Sequence, residues 1–146
     1  MRAAFMAVML VAASGCAATP DGPPEIVVDR SPCSHCGMLI SERVYAAAYR
    51  AAGSEARVFD DIGCLIAAAR REGSGPTRFW FLDGTDGAWI DGDAAVFVAS
   101  VDIRTPMGGG ILAYRQQSAA DAAAARYRGE VVRTLAQLIN RTGGKP

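Results

Sequence analysis

Cys33-Ser34-His35-Cys36-Gly37-Met38 places two thiols, the chain's one histidine and a thioether within a single short stretch. No other segment is so dense in coordinating atoms, so the rest of the chain must include a scaffold that holds it. Thiolate and thioether sulfurs are soft ligands that suit Cu(I) far better than a hard ion. The C-x-x-C spacing of Cys33 and Cys36 admits other chemistries as well. A structural zinc site wants four ligands, usually two such pairs. Here only Cys64 and His35 remain, and His35 lies between the two thiols. Thiol–disulfide exchange wants a helix N-terminus to lower the attacking thiol's pKa, and Gly37 directly after Cys36 is a poor helix start. A plain structural disulfide, with Met38 as core filler, also stays open. Cu(I) is the reading that gives Met38 a role.

A second special segment is Thr105-Pro106-Met107-Gly108-Gly109-Gly110. Proline stiffens the backbone before Met107 and the glycines after it permit unusual dihedrals or close approach, which predicts a defined loop. A methionine presented there is a candidate ligand; as a lone residue it would more commonly be core. Cys64 falls in the first turn of a predicted helix, where the dipole favours thiolate, although a small buried cysteine is the commoner case. Asp60-Asp61 reads as that helix's cap, with docking of a basic partner as a weaker reading. One histidine cannot supply a hydrolytic constellation, so an enzyme of that kind is not expected.

The amino terminus reads as an address. Met1-Arg2 precedes an apolar run over 3–13 that is too short to span a bilayer and suits a signal segment over 1–15. Ala12-Ala13-Ser14-Gly15-Cys16 resembles a lipobox, with Cys16 lipidated; the alternative is ordinary cleavage near Ala17. Ala17 after the cysteine weakly favours the outer membrane. The Pro- and Gly-rich stretch that follows makes 16–32 a tether. Of four cysteines, one belongs to the leader boundary, and the odd three left do not form a disulfide framework. Formal net charge is zero, which argues against a nucleic-acid partner.

Between these points the pattern predicts strands at 56–59, 78–82, 88–90, 94–101 and 111–114. It predicts a helix over 62–72 stopped by Gly73, and an Ala-rich helix capped by Ser118 and ending near Arg128. Residues 38–52 fit strand or helix spacing equally, and 130–140 is similarly open. The order strand, capped helix, strand occurs over 56–82 and again over 111–134, which hints at an internal duplication and a compact α+β fold with a cleft between its halves.

Taken together, Cys36-Gly37-Met38, Phe59-Asp60-Asp61-Ile62-Gly63-Cys64, the Met107 loop and the lipobox resemble the NosL family. These are periplasmic lipoprotein copper chaperones associated with nitrous oxide reductase. The resemblance implies an α+β fold of two small ββαβ-like modules side by side, placed here at 33–86 and 87–146. It tips 38–52 toward strands. It implies a Cu(I)-binding accessory protein, not an enzyme, tethered in the periplasm and serving copper-centre assembly. Carried onto this sequence, the ligands are Cys36, Met38 and Met107, with Cys33 and His35 supplementary. Cys33 is extra to the family pattern. The rivals are a tethered thiol–disulfide oxidoreductase using Cys33 and Cys36, and a disulfide-stapled structural lipoprotein.

Overall fold

The computed structural model describes residues 21–72 and 75–141. The signal segment, Cys16 and the expected helix stop at Gly73 lie outside them. Among the described residues, no helix is long and apolar enough to cross a membrane.

The chain builds two antiparallel sheets. After a single 3-10 turn at Arg43–Tyr45 come β1 (Ala47–Ala51), β2 (Arg57–Phe59), α1 (Ile62–Ala69) and β3 (Pro76–Leu82). β4 (Trp89–Asp91) and a 3-10 turn at Gly92–Ala94 lead to β5 (Val96–Ala99), β6 (Ile111–Tyr114) and α2 (Gln117–Tyr127). β7 (Glu130–Val132) and α3 (Leu135–Arg141) complete the fold. The sheets run β2-β1-β3-β4 and β6-β5-β7.

The duplication is visible in this order. β1-β2-α1-β3 and β5-β6-α2-β7 are both ββαβ units, and in each the first strand lies between the second and third. β4 adds an edge to the first sheet through the register Leu82↔Trp89 and Trp80↔Asp91. The first sheet therefore extends past the divide drawn at 86/87.

β1 resists periodicity analysis because both its faces are covered. Ala47 pairs with Phe59 on one side and Phe81 on the other, and these side chains face α1. The opposite face of the sheet meets Ile26, Ile40 and Ala46 in a second cluster that includes Leu82. A strand covered on both faces shows no alternation: Ala-Ala-Tyr-Arg-Ala is buried throughout except at half-buried Arg50.

α1 is too short to be stable alone. It is held because Ile62, Leu65 and Ile66 pack into the principal core, which takes residues from both sheets: Ala47, Phe59 and Phe81 from one, Phe97, Ile111 and Val132 from the other. Burial of each large aliphatic side chain contributes about 1.5–3 kcal/mol. Phe81 and Phe97 meet edge to face with centroids 4.9 Å apart, joining the sheets directly. Buried Asp83 makes the polar part of the same joint, accepting from the backbone N–H of Thr85 at 2.9 Å and of Arg115 at 3.1 Å. α2 covers the far face of the second sheet, with Ala120 and Ala123 against Val98 and Leu112. Its N-cap is Gln116, not Ser118, and Gln116 makes no side-chain capping bond.

Candidate metal centre

The Cys33–Met38 segment forms a hairpin turn, not a helix start. Cys33 N–H donates to Met38 O at 2.8 Å, and Gly37 N–H donates to Cys33 O at 2.9 Å. Pro32 and Leu39 bridge antiparallel just beyond. Gly37 sits at φ +78°, in the left-handed region that a side chain would strain, which explains a glycine directly after the second thiol. The turn is tied to the first sheet by Ser34 N–H, which donates to Val58 O at 2.8 Å, and by Arg57 Nη2, which donates to Ser34 O at 3.1 Å. The same guanidinium is fixed from behind by Glu72 and Tyr49, at 2.7 and 3.0 Å.

The second supporting element is the N-terminus of α1. Asp61 caps it, accepting from Gly63 N–H at 2.5 Å, so the first turn is set with Cys64 facing inward. The sulfurs of Cys33, Cys36 and Cys64 all lie within 4.8 Å of one another, and all three are free thiols. Cys33 and Cys64 are buried and Cys36 is half-buried.

Electrostatics separates the two buried thiols. Burial raises the pKa of Cys33, but backbone N–H groups of Asp60, Cys36 and His35 and the side chain of Cys36 point at its sulfur, and the net shift is downward. Such donors favour the charged form. Cys64 goes the other way: burial pushes its thiol far up, and the neighbouring Cys33, Cys36 and Asp61 add to this. The thiolate expected for Cys64 from the helix dipole is therefore overturned in the metal-free protein by desolvation and by crowding of like charges.

Asp60 and Asp61 are 1% and 0% exposed, so the docking of a basic partner on them falls away. Asp61 keeps the capping role expected of the pair. Asp60 points elsewhere: burial raises its pKa against a hydrogen bond from the Ser41 backbone, with Asp61 and Glu42 adding to the rise.

The methionines are not core. Met38 is 56% exposed and Met107 is 43% exposed. Met107 is the third residue of a turn closed by Gly108 N–H to Thr105 O at 2.9 Å. That turn is docked on the first turn of α1, since Gly109 N–H donates to Asp61 Oδ2 at 3.1 Å. The fold thus brings Cys33, Cys36 and Cys64 together and lays the Met107 loop against the helix end that carries Cys64. His35 is half-buried and does not join the three sulfurs as a fourth clustered ligand.

A NosL family model matches residues 24–138. The chain belongs to the NosL family. The crystal structure of the copper chaperone NosL from Shewanella denitrificans has the same fold, with a TM-score of 0.65. The likeness covers 80% of this chain and 98% of that one, at 20% identity. No curated protein matches the chain significantly.

Sequence reasoning left Cys64 outside the ligand set. Its signal was present in Asp61-Ile62-Gly63-Cys64: a cap fixes the phase of the first turn, and the glycine beside the thiol leaves room for a neighbouring segment. What could not be read was that α1 returns its N-terminus to the hairpin at Cys33.

Proposed function

We propose that the chain is a Cu(I) chaperone that holds one ion at low coordination number on donors drawn from the Cys33, Cys36 and Cys64 sulfurs and the exposed thioethers of Met107 and Met38. The observation that carries this reading is the convergence of the three thiols, with exposed Met38 on the hairpin that carries two of them and exposed Met107 on the loop docked against the start of α1. Cu(I) accepts a low coordination number and irregular sulfur geometry, and the thiolate and thioether set selects for it. A structural zinc site wants a fourth strong ligand, and among the described residues the clustered thiol, imidazole and carboxylate donors stop at three. His35 stays supplementary in this reading.

The chemistry suits carriage. The backbone donors around Cys33 favour its charged form, the form that ligates a metal. Cys64, protonated without metal, releases its proton as the ion binds, since metal ligation requires the thiolate. Thioethers are weak, neutral ligands at the exposed side, so an acceptor with better ligands can enter there and take the ion by exchange.

In the same proposal the chain is lipidated at Cys16, tethered in the periplasm, on the outer membrane by preference, and serves a copper enzyme. Nitrous oxide reductase or its maturation complex is the client by family resemblance. Support for the tether comes from Asp21, which pairs with Arg50 at 3.6 Å and Arg78 at 3.1 Å. Those arginines lie toward the end of β1 away from Ala47 and Phe59, after which α1 and its thiol begin.

The test is an anaerobic Cu(I) titration of the reduced full chain carrying Cys16→Ser, against a chromophoric chelator. Cys36→Ser should weaken binding by more than about 100-fold, beyond the range typical of losing an outer-shell partner. Equal affinity in the two proteins would reject the site.

A further inference from the structure

We infer that Asp61 is a positioning residue that couples the Met107 loop to the thiol cluster; this rests on the proposed Cu(I) site with Met107 as a ligand. A helix cap needs one acceptor, and serine, threonine or asparagine serves as well as aspartate. Asp61 uses Oδ1 for that task, on Gly63 N–H. Its second oxygen is turned to another part of the chain. Oδ2 accepts from Gly109 N–H at 3.1 Å and from the hydroxyl of Thr105. Thr105 Oγ1 in turn accepts from Gly110 N–H at 3.1 Å. Both flanks of Met107, Thr105 before it and Gly109 and Gly110 after it, are therefore held on one fully buried carboxylate.

The close fit of the backbones supports the same reading. A Cβ on Gly63 would lie 3.2 Å from the Gly109 Cα, and a Cβ on Gly109 would collide with the Asp61 carboxylate. The close backbone approach that the glycine run allows is realised here at Gly109. Because Oδ1 fixes the turn that carries Cys64 and Oδ2 fixes the loop that carries Met107, the separation of thiol and thioether is set by one side chain. Ligands held by rigid neighbours bind without first having to be ordered.

Two substitutions in the full Cys16→Ser chain test this. Asp61→Ser keeps a cap on α1 but is too short to reach the loop. Thr105→Val removes the hydroxyl and leaves Asp61 in place, so it guards against a folding defect in the first. Each is read for Cu(I) affinity by anaerobic chelator competition, alone and combined with Met107→Ala. Each should weaken binding by about tenfold, the lower end of the outer-shell range, and neither should weaken it further once Met107 is alanine. A purely structural role would cost affinity equally in both backgrounds, so losses that multiply with that of Met107→Ala overturn the inference while leaving Met107 a ligand. Wild-type affinity in both single variants overturns it alone. If Met107→Ala itself leaves affinity unchanged, the thioether reading and this inference fall together.

Discussion

The two ββαβ units share a strand order, yet their helices begin very differently. α1 starts at Phe59-Asp60-Asp61-Ile62, has a side-chain cap, and buries Ile62, Cys64, Leu65, Ile66 and Ala68 between two sheets. α2 starts at Tyr114-Arg115-Gln116-Gln117, lacks a side-chain cap, and buries only Ala120 and Ala123. The first helix is the wedge of the molecule and presents a thiol at its end; the second is a cover. The difference shows how a duplicated unit acquires a site. The second unit contributes no thiol, but its β5–β6 connection, with Met107, reaches the helix end of the first. The candidate centre is built at the joint, from two units with the same strand order and unlike helices.

That contrast can be broken at several points. The largest effect is expected at the joint: Phe97→Ala should destabilise the chain by about 3–5 kcal/mol, because it leaves a cavity against Phe81 and α1. Urea denaturation would check it, and a loss under 1 kcal/mol would mean that the sheets are not held together there. Next, Leu65→Ala in α1 should cost about 2–4 kcal/mol. Ala123→Gly in α2 should cost only about 1 kcal/mol, mainly backbone propensity. Equal costs in the same denaturation experiment would contradict the asymmetry between wedge and cover. In the opposite direction, Gln116→Ser should stabilise the chain by about 0.5–1 kcal/mol, since it supplies a capping acceptor that α2 lacks. Melting temperature reads this, and no rise would mean that the cap is already satisfied in another way.

A pH-dependent effect concerns the brace behind the hairpin. Burial first, and then the hydrogen bond to Glu72, raise the Tyr49 pKa from 10.0 to about 12, against the opposing Arg57 charge. The phenol ionises more readily in the unfolded chain. Its stabilising share is therefore present below pH 10 and is lost as pH rises toward 12. Stability measured across that window should fall more steeply in the wild type than in Tyr49→Phe. Identical slopes would remove the brace.

Much of the architecture was legible in the residues themselves. Phe79-Trp80-Phe81-Leu82 is apolar enough to announce an interior strand, and β3 lies inside its sheet. Asp61 followed by Ile62, Leu65 and Ile66 announces a capped amphipathic start, as found. The repeated strand–helix–strand order pointed to the duplication. Residues 38–52, which the resemblance tipped toward strands, are a strand only at 47–51: β1 is covered on both faces, so no period survives there, and the stretch before it is an isolated bridge at Leu39 and a 3-10 turn at Arg43–Tyr45. Ser118 was taken for the α2 cap because serine is a good cap, yet the helix starts a residue before it on an uncapped glutamine.

At the site, the C-x-x-C pair and Met38 were visible as donors because their spacing is local, and Met107 because of the proline and glycines around it. Cys64 was visible as a thiol at a helix start but was not counted among the ligands, because its place depends on where α1 lies relative to the hairpin, a contact between segments far apart in sequence. The second function of Asp61 was hidden for the same reason. An N-cap is a local motif, whereas the loop it also grips lies in the other unit.

The most direct measurement of the central claim is Cu K-edge X-ray absorption on the Cu(I)-loaded, reduced full chain carrying Cys16→Ser, with and without Cys64→Ser. An ion held as proposed should show a sulfur-dominated shell, at low coordination number, that loses one sulfur when Cys64 becomes serine. A shell made up mainly of nitrogen or oxygen ligands, or one unchanged by Cys64→Ser, would contradict the assignment of the three converging thiols as the copper site.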